Sequence, residues 1–367
     1  MKPIMPTMPQ PYVGKFVLIL LMISFATGCN SIIRTDNRVK IDGPVETKVS
    51  ADIAPVSVAG PVRQVMVSAG EGCPRVALVD VDGLLLNTPF VGPLSLGENP
   101  VATFREKLDA VAADPALRAV VLRINSPGGG VAAAGTMRFE LERFKARTGL
   151  PVVACLMDHG CGGAYHLASA ADYIVATPGT LTGGVGVILN LFNLQDLMAQ
   201  YNVVPQPIKA GKYVDIGSSA RPQTDEEKAL FQAMANEFHT KMKADIAKSR
   251  YKIKADDATV FDGRIFTATQ ATERGLVDRV GELDDALHIA AWMAIPPTAR
   301  TEVRYNPPVV MFRRGNDPAN SPYAVSANIP LQGAGLLPNL PGLDRTKLPT
   351  FLSLWQPELT MEKLSGK

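Results

Sequence analysis

Cysteine is scarce, with four residues in a chain of 367. Four thiols (Cys29, Cys73, Cys155, Cys161) are too few to frame a chain this long with disulfides. Histidine is as rare, and His159, His166, His239 and His288 share no zinc-type spacing with the cysteines. An excess of one charge is also missing: 37 Lys and Arg against 35 Asp and Glu leave a net +2, without basic runs. That excludes the electrostatic footprint of a nucleic-acid binder. The body of the chain has no apolar run of the roughly 20 residues that a membrane span requires. The glycine-rich "TGGVGV" lacks the Gly-Lys-Ser/Thr ending of a phosphate loop and the dinucleotide pattern. No metal and no cofactor is therefore expected.

What is present begins with a hydrophobic content of 46%, enough for one large core or two modest ones. Lys2 and Lys15 precede the short apolar run "FVLILLMISFA" and small residues, the layout of a secretory signal. Its end, "ATGC", resembles a bacterial lipobox, with Ala26 where Leu is commonest. That resemblance implies lipidation of Cys29 and a lipid anchor in a bacterial cell envelope, outside the cytoplasm. An ordinary cleaved signal and an uncleaved anchor are the alternatives. Residues 1–29 then form the signal and 30–72 a tether of mixed Pro, Val, Ser and charge. Residues 73–295 form the body, and 296–367 a tail rich in Pro, Asn and Gly that reads as extended or partly disordered.

The body alternates strand and helix signals. "RVALVDVDG", "RAVVLRI", "PVVACLM" and "DYIVA" are short apolar runs suited to buried strands. Cys155, inside one of them, reads as a small buried hydrophobe. Asn99 and Pro100 open a helix with Phe104, Leu108 and Val111 on one face. Thr224 and Glu227 make a capping box before Leu230, Met234, Phe238, Met242 and Ile246, which recur every four residues. Strands alternating with helices predict an α/β domain with largely parallel sheets flanked by helices.

Four ordered pieces carry a more specific signal: "RINSPGGG" from 123, "GGAYHLASAADYIVATPGTLTGGVGVI" from 162, "KAGKYVDIGSSARPQTDEEKALFQ" from 209, and "FDGRIFTATQATERGLVDRVG" from 261. Together they resemble the signal peptide peptidase A family, serine–lysine peptidases with a ClpP/crotonase-like fold. The resemblance implies an oxyanion hole built by the glycines after Ser-Pro, here Gly128 and Gly129, with Gly163 beside the nucleophile. It also implies extended peptides or signal-peptide fragments as ligands, bound between subunits of a homo-oligomer or mixed oligomer. Glycines suit the first role because their backbone N–H groups approach a carbonyl closely.

Both dyad positions depart from that family pattern. Aligned without gaps from Asp158 to Asp172, the nucleophilic Ser position falls on Gly162. The family Lys, directly before "Asp-Ile-Gly-Ser", falls on Val214, which cannot accept a proton. Cys161 is the reactive neighbour, since a thiol just ahead of a helix N-terminus can have a lowered pKa. Lys212, His159 or His166 could serve it as base. Three readings follow. The first is a homologue without its dyad that binds peptides or serves an assembly. The second is an active peptidase using Cys161, with Lys212 or a histidine. The third is a crotonase-like acyl-thioester enzyme using Gly128 and Gly129.

Overall fold

A computed structural model describes residues 60–326 and 351–354, apart from 72–73, 89–90, 93–94, 97, 254–256, 316 and 318. The signal, Cys29, most of the tether and over half of the tail lie outside the described residues. Along the chain run β1 (Arg63–Ser68), β2 (Arg75–Asp82) and a small hairpin of β3 (Val91–Gly92) and β4 (Ser95–Leu96). Then come α1 (Pro100–Ala113), β5 (Leu117–Ser126), β6 (Gly128–Gly130) and α2 (Val131–Thr148). The central stretch holds β7 (Val152–Cys161), α3 (Gly163–Ala168), β8 (Tyr173–Ala176) and β9 (Leu181–Gly183). It is followed by α4 (Gln195–Gln200), the long α5 (Asp225–Ser249), β10 (Ile265–Thr267) and α6 (Ala268–Glu273). Last come β11 (Arg279–Val280), α7 (Leu283–Ala294), β12 (Val309–Arg313) and β13 (Leu352–Leu354).

The main sheet has the order β1-β12-β2-β5-β7-β8-β11, with β9 and β10 branching from β7. Pairing from β12 to β11 is parallel, while β1 and β10 pair antiparallel. The α/β expectation with a largely parallel sheet therefore holds. Its strands read as continuous apolar runs because both faces are covered. On one face Val79, Leu122, Ala154 and Ile174 meet α1 and α2 through Phe104, Leu108, Met137 and Phe144, and α3 through Tyr165 and Leu167. On the other, Leu78, Val121, Val153 and Cys155 meet α7 through Leu283, Leu287 and Ala290. Cys155 is thus a core side chain, and burial pushes its thiol up to about 12.

The helix starts follow local chemistry. Asn99 Oδ1 accepts the amides of Val101 and Ala102 at the head of α1. Thr224 and Glu227 exchange the two bonds of a capping box at the head of α5. Along α5, Met242 and Ile246 are buried, but Leu230 and Met234 of the same stripe are exposed. Phe231 and Phe238 of this helix pack instead on the Phe351 ring.

β1 and β12 lie outside the body expected at 73–295, yet both are strands of the main sheet. β12 is fully buried, and its Arg313 joins a buried charge cluster with Asp80, Asp317, Lys107, Arg123 and Asp82. Arg123 and Arg313 also hold the Ala324 carbonyl, tying the following loop to the sheet.

Candidate functional site

The site forms where β7 ends. Gly162 turns the chain from β7 into α3 with φ 54° and ψ −122°, a backbone region that favours glycine. Its amide donates to the Gly183 carbonyl at 2.8 Å, so the "TGGVGV" stretch supports the elbow from below. Its carbonyl accepts the His166 amide at 3.0 Å, starting the first turn of α3. All six residues of α3 are buried. A Cβ on Gly163 would lie 2.7 Å from the Ala134 side chain, a contact distance that only glycine allows.

β6 forms the facing wall. Its Gly128 carbonyl accepts from Leu85 at 3.0 Å, and its Gly130 amide donates to the Leu85 carbonyl at 2.9 Å. The Gly128 amide is committed to Ser126 Oγ at 3.1 Å. Alternation along the strand then leaves the Gly129 amide and carbonyl facing the opposite edge. Gly163 borders the same groove, since a Cβ there would stand 3.6 Å from the Gly129 nitrogen. Of the three glycines expected as an oxyanion hole, Gly128 has its amide held by the Ser126 hydroxyl.

The chain's own segment 351–354 lies in this groove. β13 pairs antiparallel with β6, Leu352 opposite Gly130, Ser353 opposite Gly129 and Leu354 opposite Gly128. Val131 donates to the Phe351 carbonyl at 3.0 Å. On the other edge Leu352 and Ile188 exchange bonds of 2.9 and 2.8 Å. The segment is therefore a strand held from both sides. A Cβ on Gly162 would come within 2.4 Å of the Ser353 oxygen, 2.6 Å of its carbonyl carbon and 2.8 Å of the Leu354 nitrogen. The Ser353–Leu354 peptide unit thus lies across the position where a nucleophile's side chain would begin.

The candidate reactive side chains are placed elsewhere. Cys161 is fully buried, its Sγ donates to the Leu181 carbonyl at 3.3 Å, and burial pushes the thiol up to about 12. His166 turns to α5, with Nε2 at 3.2 Å from Asp245 Oδ2. Burial, helped by the Arg138 charge and opposed by Asp245, lowers its pKa to about 4. His159 uses its backbone amide on Asn125 Oδ1 at 3.2 Å. Lys212 is exposed and ion-paired to Glu226 at 2.6 Å, which raises its pKa. Val214 is exposed as well, and Asp215 after it is held by Lys209 at 2.7 Å and Arg221 at 2.9 Å. The piece from 209 to 228 folds as a polar knot centred on Asp215, Arg221 and Glu227.

The docked segment is the part of the site that motif reading passes over. Its only trace in the sequence is "FLSL", a run of apolar residues around one Ser in an otherwise Pro- and Gly-rich tail.

Comparison with known proteins agrees with the motif pattern. Residues 145–294 match the family model described as Peptidase family S49. A Methanocaldococcus jannaschii protein whose name marks it as a protease is 37% identical over 180 residues, covering 49% of this chain and 57% of that protein. "Serine protease SPPA, chloroplastic" of Arabidopsis thaliana is 33% identical over 229 residues, covering 62% of this chain and 33% of that protein. "Protease 4" of Salmonella typhi is 31% identical over 181 residues, covering 49% of this chain and 29% of that protein. The chain thus spans between 29% and 57% of the length of these relatives.

Proposed function

We propose, from the premise that residues 145–294 are a peptidase family S49 domain, that this chain binds extended peptides and does not hydrolyse them. The observation that carries this reading is the Ser353–Leu354 peptide unit lying across Gly162. The groove admits a strand, pairs both of its edges and sets Ser353 opposite Gly129, with its carbonyl oxygen beside Gly163. Strand addition of this kind draws affinity from main-chain bonds and specificity from alternate side chains.

Hydrolysis needs more than a polarised carbonyl. A serine–lysine pair supplies an attacking oxygen and an uncharged amine that takes its proton. Residue 162 carries no side chain, and residue 214 is an exposed valine. Lys212 is paired with a carboxylate that favours its charged form. Cys161 faces Leu181 with a thiol that burial keeps protonated. The cysteine-peptidase reading is therefore disfavoured, and the acyl-thioester reading has no observation in its favour.

In the same reading, the lipobox-like "ATGC" tethers the chain through Cys29 to a bacterial envelope membrane. The exposed apolar residues Phe192, Tyr201, Val204, Ile208 and Val214 are consistent with assembly into a homo- or mixed oligomer. Incubating the purified chain with unfolded casein and with short apolar peptides tests the main claim. Saturable binding without fragments is expected; fragments that appear in proportion to the chain would overturn it.

A further inference from the structure

Four residues from one end of the chain are bound here as a ligand would be, and their side chains make selective contacts. Along an extended segment, alternate residues share a face. Phe351 and Ser353 face α5, where the Phe351 ring packs edge-on against Phe238 at 5.1 Å and Phe231 at 6.4 Å. Ser353 is 2% exposed, and its Oγ lies 3.4 Å from Met242 Sδ. A thioether is a weak acceptor, so the pocket around Ser353 selects for small size rather than for a hydroxyl. Phe231, Phe238 and Met242 recur at helical spacing on one side of α5.

We propose that Phe351–Leu354 is the resident ligand of the groove. The groove selects the same pattern from other chains: an aromatic residue two positions ahead of a small one, in an extended peptide. This rests on the peptide-binding reading and adds the identity of the first occupant and the pattern it reveals. The resident segment also sets a threshold for any incoming peptide. Apparent affinity falls by the fraction of molecules whose groove is open, so a segment docked in 99 of about 100 molecules weakens binding about 100-fold. Only a peptide that fits both the aromatic cleft and the small pocket competes.

The test uses the full chain and a fluorescent peptide of its own residues 349–354, Pro-Thr-Phe-Leu-Ser-Leu. Ser353→Trp in the full chain cannot enter the small pocket and leaves the groove open. Fluorescence anisotropy is expected to show the labelled peptide binding this variant at least about tenfold tighter than the unsubstituted chain, in line with removal of a competitor. Peptides with Ala in place of Phe, or Trp in place of Ser, are expected to bind the variant at least about tenfold more weakly, as loss of a buried anchor requires. Deuterium uptake at residues 351–354 and at Ile188 is expected to rise in the variant. Equal peptide binding by the two chains with equal uptake would overturn the resident-ligand inference. Undiminished binding of the Trp-bearing peptide would overturn the selection pattern. Raised uptake with no peptide bound by either chain would instead sink the peptide-binding function and leave the segment as an internal strand.

Discussion

The carbonyl oxygen of Ser353 lies 2.4 Å from where a Cβ on Gly162 would stand. Two positions far apart in the chain are therefore fitted to each other: the elbow has no side chain, and a peptide unit fills the space. Any side chain at 162 would meet that peptide unit, so the glycine makes room for a closely held strand.

Substitution of Gly162 should carry two costs. Its φ of 54° strains an ordinary residue by about 1–3 kcal/mol, and any Cβ meets Ser353 and Leu354 backbone atoms. Gly162→Ala and Gly162→Ser are expected to lower stability by about that amount in denaturant titrations and to raise deuterium uptake at residues 351–354. Gly162→Ser alone is expected to gain no casein hydrolysis, because Val214 offers no base.

Cys161 should be inert in the folded chain. With its thiol pushed up to about 12 and its side chain fully buried, its thiolate at pH 8 is roughly a thousandfold scarcer than that of a free cysteine. Site-resolved mass spectrometry after iodoacetamide should find Cys161 unmodified in native buffer and modified in guanidinium. Rapid native alkylation of Cys161 would revive a catalytic thiol.

His166 gives a pH signature with a definite sign. Its folded pKa is lowered from 6.5 to about 4, so the unfolded chain takes up a proton before the native one does. The stabilisation is complete above about pH 6.5 and is lost as pH falls through about 4, on the order of 3 kcal/mol. His166→Gln, which can keep a donor toward Asp245, is expected to flatten the stability profile across this window. An unchanged slope would contradict burial of a neutral imidazole.

Lys212→Ala should be nearly silent. An exposed ion pair such as Lys212–Glu226 is screened by solvent and adds little to stability, and the amine is already committed to that carboxylate. Melting temperature and peptide affinity are expected to stay within error of the unsubstituted chain. A loss of peptide affinity would place Lys212 in the groove.

Much of this architecture is legible in the sequence because it depends on local rules. Asn99 and Thr224 cap the helices they precede, and the apolar runs around Leu78, Val121 and Val153 become strands covered on both faces. The elbow at Gly162 is legible through its spacing from Asp158 and Asp172. The role of the tail is not legible there, for a physical reason. β12 and β13 are short strands in a stretch rich in Pro, and they are fixed by partners distant in sequence, Val76–Leu78 and Gly128–Gly130. Gly128 shows a finer limit: which glycine amide faces the groove depends on the Ser126 hydroxyl and on Leu85, neither of which spacing reveals.

The central claim is most directly tested by one mass-spectrometric time course. The peptide Pro-Thr-Phe-Leu-Ser-Leu-Trp-Gln, residues 349–356, is held with stoichiometric full-length chain at concentrations where anisotropy shows it bound. A groove that binds without acyl transfer leaves both peptide and chain at their starting masses. Scission between Ser and Leu, or an acyl adduct on any side chain, would contradict it.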